Sequence, residues 1–133
     1  MKYLFDTSSI FEAIKKNKVN ILIDNYTVAY TKIELGNVIR KQFIKKEMSK
    51  EEAIKIFEKL IEEILNKEMI VIDISDTDLS EILKLSIETN ISFYDACFVY
   101  YSKRLNAVFV TEDEKLKNVL RGFVDVKSLE EIV

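Results

Sequence analysis

Hydrophobic positions along this chain alternate between two rhythms. Short continuous apolar runs occur at residues 2–5, 26–30, 69–72, 107–110 and 123–126, and each reads as a strand. Between them lie longer segments with apolar residues three and four apart, the spacing of an amphipathic helix. The first helix is expected over 8–17, with Ile10, Phe11 and Ile14 on one face. The second, over 31–46, carries Leu35, Val38, Ile39, Gln42 and Phe43 as a stripe. A third spans 49–66, with Ile54, Phe57, Leu60, Ile61 and Ile64 in register. A fourth runs from about Thr77, through Leu79, Ile82, Leu83 and Ile87, to Asn90 as its C-terminal residue. Helices over 92–106 and from Thr111 to Gly122 follow, and a helical turn from Ser128 closes the chain. Thr31–Glu34, Ser49–Glu52, Ser92–Asp95 and Thr111–Glu114 have capping-box spacing at four of these starts. Alternating strands and helices predict an α/β fold, with a parallel sheet covered on both faces.

Composition narrows the chemistry. The 133 residues contain no linker or repeat and read as one domain over 1–133. No apolar run is long enough for a membrane span and the start lacks signal-peptide features, so a soluble cytoplasmic protein is expected. Cys97 is the only cysteine and sits in an apolar helical stretch, where a buried thiol is the simplest reading. There is no histidine, which excludes Ser-His-Asp, Cys-His and histidine acid/base sites. Gly36 and Gly122 stand alone, so neither Gly-rich phosphate loop exists. A net charge of −3 is unpromising for passive nucleic-acid binding. It is compatible with an acidic site that meets a phosphodiester through divalent cations.

Four acids share one position relative to the predicted strands. Asp6 ends the first strand, Glu34 and Asp95 lie in first helical turns, and Asp113 follows the strand 107–110. In a parallel sheet the carboxyl ends gather at one edge, where these acids can converge. Two bare carboxylates about 4 Å apart repel by roughly 4 kcal/mol at an effective dielectric of 20, so such a cluster needs cations or shared protons. Hard oxygen ligands without His or Cys favour Mg²⁺ or Mn²⁺.

Taken singly, each residue also has a plainer explanation. Glu34, Asp95 and Asp113 suit helix starts, while Asp6 has no capping role at a strand end. Ser8 and Thr111 read as caps that also orient a ligand or water. Asp73, Asp76 and Asp78 read as solvated capping acids, and the Lys-rich segment 41–50 as a solvated helix end or a phosphate-tracking surface. Tyr94, Tyr100 and Tyr101 read as core and rim in preference to a base-stacking platform.

Leu4-Phe5-Asp6-Thr7-Ser8, Thr31-Lys32-Ile33-Glu34, Tyr94-Asp95-Ala96 and Thr111-Glu112-Asp113-Glu114-Lys115-Leu116, in that order, resemble the PIN domain. They are most similar to small single-domain toxins of the VapC type, from residue 2 to about 126. The resemblance implies a three-layer α/β/α sandwich with strand order 3-2-1-4-5. It also implies a Mg²⁺- or Mn²⁺-dependent endoribonuclease, with Asp6, Glu34, Asp95 and Asp113 as metal and catalytic acids. Ser8 and Thr111 match accessory positions beside that pocket, and Glu112 and Glu114 are further acids without a firm match. The implied partners are RNA, an antitoxin lying over the groove beside the Glu34 helix, and a second copy in a homodimer. The alternatives are an RNA-processing nuclease without antitoxin and an inert PIN-like scaffold. A phosphate-receiving regulator or a haloacid-dehalogenase-type phosphatase would need a further acid just after Asp6, where Thr7 and Ser8 stand.

Overall fold

The computed structural model describes residues 1–46 and 48–133, without the side chain of Lys46. Glu47 and that side chain, both in the Lys-rich segment, therefore lie outside the described residues. Five strands, β1 (Tyr3–Phe5), β2 (Tyr26–Val28), β3 (Ile70–Ile72), β4 (Val108–Val110) and β5 (Val126–Lys127), form one parallel sheet in the order β3-β2-β1-β4-β5. This is the expected order, and the strands occupy the expected apolar runs with frayed edges. The fifth differs most, because Gly122 (φ 84°) turns the chain and leaves Phe123 half in solvent, so pairing with β4 begins only at Val126.

The sheet is a buried middle layer because its strands alternate between two cores. Leu4 pairs with Phe109, and both pack on one side with Ile82, Phe98 and Leu120. Their neighbours Phe5 and Val110 pair with each other and pack on the opposite side with Ile10, Leu35 and Leu65. Successive side chains on a strand point to opposite faces, so continuous apolar runs feed both layers. On the Phe5 side lie α1 (Thr7–Lys15), α2 (Thr31–Lys46), α3 (Lys50–Lys59) and α7 (Leu129–Ile132). On the Leu4 side lie α4 (Leu79–Thr89), α5 (Phe93–Arg104) and α6 (Glu114–Leu120). Cys97 is buried on that side, as expected.

The helix ends follow local chemistry. Asn17, Asn90 and Asn106 take positive φ just beyond α1, α4 and α5, a conformation that asparagine tolerates better than most residues. Ser49 accepts the Glu52 amide at the head of α3. Past Lys59 that helix widens into π-type turns over Leu60–Leu65, which place Leu60 and Leu65 in the core. The 3₁₀ turn Val19–Leu22 has no clear sequence rhythm and was not expected; it plugs Leu22 into the same core.

One group departs from its solvated reading. Asp78 is buried, and its carboxylate accepts hydrogen bonds from Tyr101 Oη (2.8 Å), Arg104 Nη1 (2.9 Å) and Tyr100 Oη (3.2 Å). The tyrosine and arginine donors hold its carboxyl below the usual range. Tyr100 and Tyr101 are thereby committed to pinning α5 to the start of α4. Among the described residues no helix is long and apolar enough to cross a membrane.

Phe109 is fully buried at the centre of the sheet. Phe109→Ala is expected to lower unfolding free energy by about 3–5 kcal/mol, read from the shift in urea midpoint at unchanged slope.

Candidate active site

The carboxyl edge of the sheet begins with Asp6. The amide of Asp6 still donates to the Val110 carbonyl (3.1 Å), so the residue leaves the ladder with its side chain enclosed. It is the N-cap of α1, a role the sequence did not reveal because Ser8 looked like the better cap. Its Oδ1 accepts three hydrogen bonds, from Ser8 Oγ (2.7 Å), the Ser9 amide (2.9 Å) and Ser9 Oγ (3.0 Å). Its Oδ2 accepts one, from Thr111 Oγ1 at 2.5 Å, delivered by the end of β4. Burial pushes the Asp6 carboxyl above its ordinary value even against these donors.

Ser8 and Thr111 are thus not helix caps. Ser8 Oγ donates to Asp6 and accepts the Glu112 amide (3.1 Å), tying the start of α1 to the segment after β4. Thr111 Oγ1 accepts the Asp113 amide (3.2 Å), and Asp113 itself caps α6 by accepting the Leu116 amide at 3.1 Å. Asp113 is exposed, with one carboxylate oxygen committed to this cap.

The capping box expected at Thr31–Glu34 gives way to a tertiary arrangement. Thr31 is buried inside the first turn of α2, and its hydroxyl pairs with that of Thr27 at 2.8 Å. Glu34 Oε1 instead accepts from Thr7 Oγ1 at 2.8 Å, across from α1. At Ser92 the cap forms as expected, with Ser92 Oγ accepting the Asp95 amide at 3.0 Å. Thr7 and Ser9 are the residues that sequence reasoning missed. The run Thr7-Ser8-Ser9 showed the hydroxyls, but not which acid each would meet.

The acids form a chain of like-charged neighbours. Burial raises the Glu34 carboxyl most, the Thr7 hydrogen bond opposes this, and the charges of Asp6 and Asp95 raise it further. Burial likewise raises Asp95, with Ser92 opposing and Asp113 adding to the rise. The charges of Asp6 and Asp95 thus reach Glu34, and that of Asp113 reaches Asp95. Among the described residues, however, no three Asp, Glu or Cys side chains form a group already able to hold a metal ion.

The donor set nevertheless fits a hard divalent cation: it is all oxygen and anionic, and Asp6 Oδ2 retains a lone pair beyond its bond from Thr111. Glu112 is committed elsewhere, since its Oε1 accepts the Leu129 amide at 2.9 Å. Glu114 is exposed, with its nearest cation, Lys117, at 3.8 Å.

Comparison with known proteins bears on the family and the fold. The PIN domain matches residues 3–121. Exonuclease VapC9 of Pyrobaculum aerophilum is 34% identical over 56 residues, which are 42% of this chain and 42% of that protein's length. A Pyrobaculum aerophilum protein of known crystal structure superposes with a TM-score of 0.78 at 21% identity, covering 99% of this chain and 86% of the other. A chain of a toxin–antitoxin complex from Klebsiella pneumoniae superposes with a TM-score of 0.59 at 18% identity, covering 95% of this chain and 96% of the other. At such identities the structural likenesses speak for the fold, and the domain match, spanning most of the sequence, speaks for descent. This chain belongs to the PIN domain family.

Proposed function

We propose that this protein is a divalent-metal-dependent endoribonuclease and the toxin of a type II toxin–antitoxin pair. The observation that carries the reading is Asp6, buried at the end of β1 and held by Ser8, Ser9 and Thr111, with Glu34 bonded to the neighbouring Thr7, in a PIN-family chain. Asp6, Asp95 and Asp113, with Glu34, would hold Mg²⁺ or Mn²⁺. When bound, the cation supplies positive charge to the attacked phosphate and lowers the pKa of the attacking water. The protein's own contribution is orientation. Ser8, Ser9 and Thr111 lock the Asp6 carboxylate in one rotamer, and Thr7 holds Glu34 toward the pocket. Cleavage is expected to leave 5′-phosphate and 3′-hydroxyl ends.

The toxin part of the reading rests on relatives and on one surface. The name VapC9 and the Klebsiella complex belong to toxin–antitoxin vocabulary. Beside the Glu34 helix, α2 and α3 enclose an apolar groove of about 280 Å³ lined by Ile39, Phe43, Ala53, Ile54 and Phe57. The groove suits an amphipathic antitoxin segment. A second copy of the chain would fit the exposed stripe Leu79, Leu83 and Ile87 on α4. An RNA-cleaving toxin of this kind acts in the cytoplasm.

Asp6→Asn and Asp95→Asn are each expected to reduce Mn²⁺-dependent cleavage of unpaired RNA by more than about 100-fold, the loss of several kcal/mol of transition-state stabilisation. Unchanged rates would refute the assignment. Thr111→Val, which frees the Asp6 carboxylate and removes the acceptor of the Asp113 amide, is expected to weaken Mn²⁺ affinity about 10- to 100-fold. Because the Pyrobaculum relative is named an exonuclease, a circular RNA is the discriminating substrate: an endonuclease opens it and an exonuclease leaves it intact. Expression is expected to arrest growth, with rescue by the product of the adjacent gene. In Ile54→Lys the arrest should persist and the rescue fail.

The pocket also sets a pH dependence. Asp6, Glu34 and Asp95 have folded-state pKa values above their ordinary 3.8, 4.5 and 3.8. Each therefore favours the fold while protonated, and that contribution is lost as pH rises from the ordinary value through the folded one. Without metal, Asp95→Asn is expected to be more stable relative to the parent at pH 8 than at pH 4. Added Mg²⁺ should raise the parent's Tm at pH 8 and not at pH 4. Equal effects at both pH values would sink the repulsion argument.

A further inference from the structure

We propose that Tyr94, backed by Tyr30, is a stacking platform for an unpaired nucleobase beside the scissile phosphate. The inference rests on the ribonuclease reading and adds a positioning site to it. The two rings lie 5.1 Å apart between centroids and only 11° from parallel. Tyr30 is half-buried against the core, whereas Tyr94 is 56% exposed. Tyr94 thus has a partner along one face and presents much of the remaining ring to solvent. A ring held flat from behind offers a stacking surface with little side-chain freedom left to lose.

The placement of the pair connects it to the acids. Tyr94 immediately precedes Asp95, and the Tyr30 carbonyl accepts the Glu34 amide at 3.2 Å, one helical turn before that acid. Tyr30 also lines a groove of about 510 Å³ shared with Thr7, Ser8, Glu34, Asn37 and Lys41. Glu34, Asn37 and Lys41 recur on one face of α2, so the groove runs from Glu34 to a cation about 10 Å away along the helix. Acids for the reacting phosphate, an aromatic platform beside them and a lysine farther along form the layout of a single-strand track. The other candidate rings, Tyr100 and Tyr101, are occupied by Asp78. Every nucleobase has a π-face, so this site would favour unpaired RNA over duplex with little base preference.

The test uses the full-length protein and a fluorescent unpaired RNA, alongside a series in which one nucleotide at a time is abasic. Binding is read by anisotropy in the Asp6→Asn background, and cleavage kinetics in the active protein. Tyr94→Ala is expected to weaken binding and raise KM about tenfold, within the range known for base–aromatic stacking, while Tyr94→Phe restores both. One abasic position should weaken the parent by the same factor and leave Tyr94→Ala unaffected, a signature that a purely structural role would not produce. The platform is overturned if Tyr94→Ala binds as the parent does, if Tyr94→Phe loses as much as Tyr94→Ala, or if no abasic position abolishes the difference. It is also overturned if Tyr94→Ala loses only antitoxin binding, which would make the ring a protein contact. The two readings fail separately: RNA cleaved without Tyr94 dependence removes the platform alone. Tyr94-dependent binding without metal-dependent cleavage removes the nuclease alone.

Discussion

The burial of one carboxylate, Asp6, organises the functional edge of this fold. An acid taken from water needs a hydrogen-bond partner for nearly every lone pair. Asp6 finds them in two places. Ser8 and Ser9 come from its own helix, and Thr111 comes from the far end of the chain at the tip of β4. The Ser9 Oγ also lies 2.8 Å from the Val110 carbonyl, so its single proton is shared between acid and strand while the Ser9 amide donates to Asp6 alone. Satisfying Asp6 thereby fixes the separation of β1, α1 and the β4–α6 connection, the geometry on which the remaining acids depend.

Those remaining acids sit in a graded environment. Asp6 is buried, Glu34 and Asp95 are half-buried, and Asp113 is exposed. The gradient keeps the cluster tolerable without a counter-ion, because the outer members can draw on solvent while the inner one is held by hydroxyls. It also gives the edge a direction, from an inner carboxylate held by hydroxyls and an amide to outer ones with fewer protein partners.

The fold is shared here at low sequence identity. The superposition on the Pyrobaculum protein reaches a TM-score of 0.78 with 21% identity. A buried parallel sheet explains how this is sustained. Strands as short as three residues need only apolar side chains of suitable volume on both faces, and many combinations meet that need. The polar edge is more demanding, because each hydroxyl must meet a particular oxygen.

The sequence by itself determined the strand and helix pattern, the parallel α/β class, the absence of histidine and paired-cysteine chemistry, and the placing of Asp6 at a strand end with Glu34, Asp95 and Asp113 at helix starts. These follow from local periodicity and from residue types, which survive without knowledge of what lies nearby. Tertiary structure alone decided which polar groups meet. Ser8 and Thr111 looked like caps because capping motifs are local, yet both turned to Asp6, which took the cap of α1 for itself. Glu34 left its expected cap for Thr7, 27 positions away. Asp78 resembled a solvated acid until α5 brought two tyrosines and an arginine to it. The pairing of Tyr30 with Tyr94 was equally hidden. A hydrogen bond or ring stack depends on contacts a few ångströms long between residues distant in the chain, and only the closed sheet sets those distances.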